Sequence, residues 1–307
     1  MRFTIYQDSR QGGRANNEDR TTYCYSREAL LMVVADGMGG HHHGEIASQI
    51  AVQTLADNFQ REARPAIADP FRFLQRGLTN AHSAILDYTV HHGLRDTPRT
   101  TCVACVVQDN VAFWAHAGDS RLFLMRGGKL IAQTRDHSRV RFLIEEGMLS
   151  ETQAAVHPER NKIYSCLGSP TPPEIEFSRK TPLNHGDILL LCSDGLWGEV
   201  SGEEMAVALK GANLVHAVPM LLNQAEVRGG ALADNLSVVV VRWEDAYVEE
   251  PSSIISTQAM GFDEVATRME EFGRDPAHKV DLSEEEIEKA IEEIRSTIEK
   301  FNPRKPG

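Results

Sequence analysis

Thr100-Thr-Cys-Val-Ala-Cys-Val-Val-Gln-Asp-Asn-Val-Ala-Phe-Trp-Ala-His116 contains two strand-sized apolar runs separated by Asp109-Asn110. Asp and Asn tolerate the positive φ that a two-residue hairpin turn requires, so the runs, 100–108 and 111–116, should pair antiparallel. Cys102 and Cys105 form a C-x-x-C within the first run, but strand residues three apart face opposite sides. That geometry argues against a shared metal or redox role. Working outward, runs 121–125 and 129–132 flank a second turn dipeptide, Gly127-Gly128. Further strand signals lie at 2–6, 21–25, 30–35, 187–192 and 236–243.

Amphipathic helices interrupt these strands. Ala47, Ile50, Ala51, Leu55 and Phe59 make one apolar stripe; Leu74, Leu78, Ala81, Ile85 and Tyr88 make another, led in by Asp69-Pro70, a cap followed by the proline favoured at a first helical position. Helical patterns also cover 140–146, ended by Gly147, and 214–227, with a Pro-rich stretch at 169–173 between them. Strands joined by hairpins and mixed with helix pairs imply an α+β fold of antiparallel sheets covered by helices.

The chain has 307 residues, 41% hydrophobic and 25% charged, enough apolar material for a substantial core. A formal net charge of −12 argues against a nucleic-acid partner, whose binding rests on basic surface. No apolar run approaches the roughly 20 residues of a membrane span, and the first residues lack a secretory signal pattern. Five cysteines without a regular framework fit reduced thiols, and a cytoplasmic protein is expected. Globular patterning runs over 1–245; 246–260 reads as a linker and 261–307 as a helical extension. In the extension, Ser283-Glu-Glu-Glu286 is a capping box that opens a helix with Ile287, Ile291, Ile294, Ile298 and Phe301 on one face. Two roles are open for that helix: packing on the catalytic domain or on a shorter helix within 262–272, or self-association and partner docking.

Acidic motifs recur at strand ends beside small residues: Asn17-Glu18-Asp19, Asp36-Gly37-Met38-Gly39-Gly40, Gly118-Asp119-Ser120-Arg121, Ser193-Asp194-Gly195 and Ala233-Asp234-Asn235. Glycine lets the backbone turn sharply there and leaves room for an ion with its waters. Converging carboxylates cannot all stay ionised unless cations offset them, and oxygen-only ligands select hard ions. Any one Asp-Gly is ordinarily a turn.

Their order is more informative. Arg14 with Glu18-Asp19, 34–41 leading to 44–48, Thr100-Thr101, Gly118-Asp-Ser-Arg121, Asp136-His-Ser138, 191–197 and 234–238 resemble, in sequence, the motif series of the PPM or type-2C protein phosphatases, over about residues 3–243. The resemblance implies two antiparallel β-sheets packed in a sandwich between helix pairs, with a metal cluster at one end. It implies Mn²⁺ or Mg²⁺, two ions and in bacterial members often a third. Asp36 would bridge two ions, one held also by Asp194 and Asp234, the other by Glu18 and the Gly37 carbonyl. Asp119 and Asp194 match the ligands of the third. Asp19 and Asn235 match groups that orient ligands and waters, and Arg14 the arginine that grips phosphate.

The implied activity is hydrolysis of phosphoserine or phosphothreonine in proteins by a metal-activated water, opposing a serine/threonine kinase. Alternatives are a phosphatase for small phosphate esters, or a phosphatase-like binding module. Two departures stand out. Met38 occupies the place where many eukaryotic relatives carry a histidine acid, which leaves the general acid unassigned. Arg99 stands where relatives usually carry glycine, which raises a question about the backbone there. The consecutive His41, His42 and His43 suit an exposed helix-start loop better than a zinc site. The segment 136–173 corresponds to the mobile flap of bacterial relatives, in which His137, Ser138 and Asn161 are candidates for substrate contact.

Overall fold

A computed structural model describes residues 1–38, 43–154, 157–159, 162–244, 254–256 and 260–269. The strands and helices, in chain order, are β1 (Arg2–Arg10), β2 (Arg20–Tyr25), β3 (Ala29–Ala35), α1 (Gly44–Glu62), α2 (Pro70–His91), β4 (Cys102–Gln108), β5 (Val111–Ala117), β6 (Arg121–Arg126), β7 (Lys129–Gln133), α3 (Arg139–Glu145), α4 (Glu151–Ala154), β8 (Glu176–Phe177), β9 (Thr181–Pro182), β10 (Ile188–Cys192), α5 (Asp194–Trp197), α6 (Gly202–Leu209), α7 (Leu214–Gly229), β11 (Leu236–Trp243), β12 (Ile254–Ser256) and β13 (Ala266–Met269).

One sheet runs β12-β1-β11-β10-β6-β7 and the other β13-β2-β3-β4-β5-β8, with β9 also on β5. Every pairing is antiparallel. Both expected hairpins form: Asp109 and Asn110 have φ of 53° and 57°, Gly127 and Gly128 of 60° and 82°, the left-handed pairs that a two-residue turn needs.

Period-two alternation builds four layers. On β3, Leu31, Val33 and Ala35 pack under α1 and α2, while Leu30, Met32 and Val34 face the opposing sheet with Phe3, Leu124, Leu191 and Trp243. Since both faces of β3 are covered, it reads as an unbroken apolar run. Leu190, Cys192, Val238 and Val240 meet α6 and α7 on the far side. Cys102 belongs to the helix-facing core and Cys105 to the inter-sheet core, as the strand geometry predicts. All five cysteines are buried free thiols. Asp69 caps α2 by accepting from Arg72 N at 3.1 Å, with Pro70 next. Among the described residues no helix is long and apolar enough to cross a membrane.

The chain after 245 departs from expectation. Ile254–Ser256, read as linker, pairs with Arg2–Thr4 of β1, and Ala266–Met269, inside a stretch read as helical, pairs with Thr22–Tyr25 of β2. Without these segments β1 and β2 would be edge strands, and open edges recruit strands irrespective of a segment's own pattern. Arg27 also lies over the Phe262 ring at 4.3 Å. The amphipathic stretch 283–301 lies outside the described residues.

Candidate metal centre

Antiparallel register brings the acidic motifs to one end of the sandwich. Arg20 pairs with Ala35, so Glu18 and Asp19 before β2 lie beside Asp36 after β3. Cys102 pairs with Ala117, Arg121 with Cys192, Cys192 with Val238 and Arg10 with Leu236. Asp119, Asp194 and Asp234 therefore share that end, and the links 11–19 and 118–120 cross there between the sheets.

Backbone and neutral side chains hold each ligand loop. Thr100 Oγ1 donates to the Asp36 carbonyl at 2.8 Å, Thr101 N donates to the same carbonyl at 2.9 Å, and Asp36 N donates to Thr101 Oγ1 at 3.2 Å. Thr101 Oγ1 in turn meets Ser120 Oγ at 2.7 Å, one residue from Asp119. Asn235 Oδ1 accepts from Glu18 N at 2.8 Å, while its Nδ2 donates to the carbonyls of Gln11 at 2.8 Å and Asn16 at 2.9 Å. Ser193 Oγ donates to Asp19 Oδ2 at 2.6 Å and accepts from Ser237 N at 3.0 Å. Arg14 Nη2 donates to Asp234 Oδ2 at 2.6 Å from an exposed position.

The carboxyl groups disturb one another. Burial, then the charges of Asp19, Asp194, Asp119 and Asp234, hold Asp36 well above the ordinary carboxylate range. Asp119 is likewise well raised, by burial and then by Asp194 and Asp136. Burial and Asp234 raise Asp194 to about 6, and a hydrogen bond between the Asp194 and Asp36 side chains works against that rise. Burial lifts Asp19 to about 7 despite the bond it accepts from the Ser193 hydroxyl. Glu18 is raised by burial and by Glu45. Asp19 and Asp119 are closed from solvent, whereas Asp36 and Asp194 keep part of their surface at the mouth.

These residues fit hard cations on two observations. Glu18 Oε2 and Asp19 Oδ1 are buried oxygens with no hydrogen-bond donor, an arrangement that costs about 1–3 kcal/mol each unless something positive meets them. Space is kept around them: a Cβ on Gly44 would come within 2.5 Å of Glu18 Oε2, and one on Gly37 within 2.4 Å of the Gly44 carbonyl. The donor set is all oxygen, which suits Mg²⁺ or Mn²⁺.

A separate cluster, His116, His137 and Glu176, has ligand-type atoms within 4.8 Å of one another. Its hydrogen bonds oppose a cation. The Arg135 carbonyl, an acceptor only, is 2.6 Å from His116 Nε2, and Gly118 N–H points at His137 Nδ1 at 3.3 Å. His137 therefore carries its proton on Nε2, a buried atom without a hydrogen-bond partner 3.8 Å from Glu176 Oε2, and presents an N–H there in place of a lone pair. The two rings stack at 4.6 Å.

Two flap residues read as substrate contacts are structural. His137 is 1% and Ser138 2% exposed, His137 N donates to the Gly118 carbonyl at 3.0 Å, and Ser138 caps α3. Asn161, His41 and His42 lie outside the described residues; His43 is exposed at the start of α1. Arg99 is accommodated without left-handed backbone, its carbonyl accepting from Met38 N at 3.0 Å. The sequence reading passed over the Arg121 fork, which holds both Asp136 oxygens at 2.7–2.8 Å and lies over the Trp197 ring at 3.5 Å. Arginine in Gly-Asp-Ser-Arg with aspartate at the flap root was the available signal.

A helix-sheet-sheet-helix sandwich with converging carboxylates at one end and an arginine at their rim defines a metal-dependent hydrolase. The sequence profile of the family described as protein phosphatase 2C matches residues 7–235, and the chain belongs to that family of metal-dependent serine/threonine phosphatases. It is 32% identical over 231 residues to a serine/threonine phosphatase stp of Listeria monocytogenes, covering 74% of this chain and 90% of that one. The solved serine/threonine phosphatase of S. agalactiae superposes with a TM-score of 0.71 at 29% identity, covering 79% of this chain and all of that chain. The catalytic domain of the phosphatase PstP, solved with two manganese ions, gives a TM-score of 0.67 at 33% identity over 80% of this chain and 99% of that one.

Proposed function

We propose that the chain removes phosphate from phosphoserine and phosphothreonine in proteins, opposing a serine/threonine kinase, with Mn²⁺ or Mg²⁺ held by the cluster described above. Asp36, Asp194, Asp234, Glu18 and the Gly37 carbonyl would hold two ions, and Asp119 with Asp194 a third. When bound, the ions supply an ionised water near neutral pH and offset charge on the phosphoryl oxygens.

The chain's own residues do the rest. Arg14 retains guanidinium N–H groups beyond the one it gives Asp234, so it can fork onto two phosphoryl oxygens and align phosphorus for in-line attack. Thr100, Thr101 and Asn235 fix the backbones of Asp36 and Glu18, so positioning is complete before substrate arrives. Water is the nucleophile: the cysteines are buried with their thiols pushed up, and the Ser193 hydroxyl is committed to Asp19. Met38 has no proton to give, and the leaving oxygen takes its proton from water.

The observation that carries this reading is the convergence of six acidic side chains from five strand ends, two of their buried oxygens lacking any donor. Asp36→Asn and Asp234→Asn should each abolish Mn²⁺-dependent hydrolysis of a phosphothreonine peptide while circular dichroism stays native. Wild-type rates in either variant would refute the ligand assignment.

A further inference from the structure

Among the described residues, three arginines beside the acidic cluster are engaged. Arg14 pairs with Asp234, Arg121 with Asp136, and Arg20 donates to the carbonyls of Asn17 and Asp19. Arg99 has no hydrogen bond or ion pair from its guanidinium among the described residues, and its Nε is buried without an acceptor. Leaving a charged donor so placed is costly unless an anion arrives from elsewhere.

The surroundings locate that anion. The Arg99 carbonyl accepts from Met38 N at 3.0 Å, and Gly37 bridges Thr100, which also bridges Leu167. Arg99 thus stands in the seam between the Asp36–Met38 turn and the segment Cys166–Gly168, where the flap returns to the sandwich. Its charge acts on the Cys166 thiol, which also feels Asp119. Arg14 is bonded directly to a cluster carboxylate, Asp234, whereas Arg99 is joined through its backbone to Met38 and neighbours the Thr100–Leu167 bridge, on the flap side of the Asp36 turn. A group bound at Arg99 is therefore beside the reacting phosphoryl and not the phosphoryl itself.

We propose that Arg99 is a specificity residue that binds an anionic side chain of the substrate, a carboxylate or a second phosphate, close in sequence to the phosphorylated residue. The inference rests on the metal-centre reading above. It also runs against the chain's overall charge of −12, which by itself favours basic peptides. A preference for an acidic flank must then come from a local contact.

The test uses phosphothreonine peptides in which one glutamate, or a glutamine in its place, is walked through the flanking positions, with the full chain in Mn²⁺. The wild type should favour the best glutamate peptide over its glutamine twin by about three- to tenfold in kcat/KM, the size of one partly exposed charge contact, with the difference in KM. Arg99→Gln should bring that ratio to about one, Arg99→Lys should keep part of it, and Arg99→Glu should invert it. Replacing the glutamate by a second phosphothreonine identifies the source: a larger ratio points to a phosphate partner, an equal one to any carboxylate.

A wild-type ratio of one at every position, or an Arg99→Gln enzyme that keeps the preference, overturns the proposal. So does an equal loss on both twins, which would make Arg99 a support for the Met38 backbone. Asp36→Asn distinguishes the two levels: activity retained there refutes the metal centre, whereas the twin ratio judges Arg99 alone.

Discussion

Asp19→Asn should stabilise the protein stripped of cations, by an amount that grows with pH. Asp19 is 1% exposed, its Oδ1 has no donor, and burial lifts its pKa from 3.8 to about 7. A carboxyl raised in the folded state binds its proton more tightly there than in the unfolded chain. Stability is therefore lost as pH rises from the unfolded value through the folded one. Three units correspond to roughly 4 kcal/mol, complete by about pH 8 and absent below about pH 4. Asparagine removes that loss and keeps an oxygen for the Ser193 hydroxyl, but places an amide N–H₂ where the bare oxygen stood, at a pH-independent cost of about 1–3 kcal/mol. The difference between variant and wild type should thus rise by about 1.4 kcal/mol per pH unit across the window and then level. Between pH 5 and pH 7 that is about 2 kcal/mol, the curve flattening near the folded value, or some 4–8 °C in Tm for a domain of this size. Calorimetry in EDTA at constant ionic strength measures it. With millimolar Mn²⁺ the order should reverse, because the wild type gains more by mass action. A variant-minus-wild-type difference that stays flat from pH 4 to pH 8 would show that Asp19 carries no such strain.

Gly44→Ala should weaken Mn²⁺ binding about tenfold or more by calorimetry with little change in the far-ultraviolet spectrum, since its Cβ would press within 2.5 Å of Glu18 Oε2; unaltered affinity would mean the space is not reserved. Truncation after Glu244 removes β12, β13 and the Gln60–Thr267 hydrogen bond of 2.6 Å, and should lower Tm by several degrees by baring the edges of β1 and β2. Truncation after Met269 should leave Tm within a degree or two, and a change in sizing or phosphatase rate in that shorter chain would assign the final segment to association or regulation; no change in either would exclude both.

The sequence disclosed what local chemistry determines. Asp109-Asn110 and Gly127-Gly128 specify their turns because few residues accept positive φ, and Asp69-Pro70 starts α2 because cap and proline meet the helix's own needs. The helix α6 was passed over although Ser201 and Glu204 form a capping box legible in sequence. β12 and β13 were not legible, since what makes them strands is the open edge of β1 or β2 more than 200 residues away in sequence. Among the site residues, types and order were legible through the resemblance, whereas burial was not. His137 looked like a surface residue beside Asp136, yet it grips the Gly118 backbone inside the molecule.

Fold and centre are coupled through an unequal distribution of hydrogen bonds. Asp36 is held on its main chain by Thr100 and Thr101, Glu18 gives its N–H to Asn235 Oδ1, and one Asp19 oxygen accepts from Ser193. The scaffold therefore fixes where each carboxylate starts and leaves outward oxygens, Glu18 Oε2 and Asp19 Oδ1, with nothing to accept. Giving those oxygens N–H or O–H donors would stabilise the cation-free chain, but each donor would have to be displaced when a cation bound. Leaving them bare moves the cost to the empty centre, where it shows as raised carboxyl pKa values, and at those two oxygens a cation has only protons to displace. Mn²⁺ binding should accordingly release protons, increasingly so as pH falls from 8 toward the values near 7 and 6 of Asp19 and Asp194. The strain of the cation-free centre is therefore electrostatic, carried by groups whose backbones are already held by hydrogen bonds.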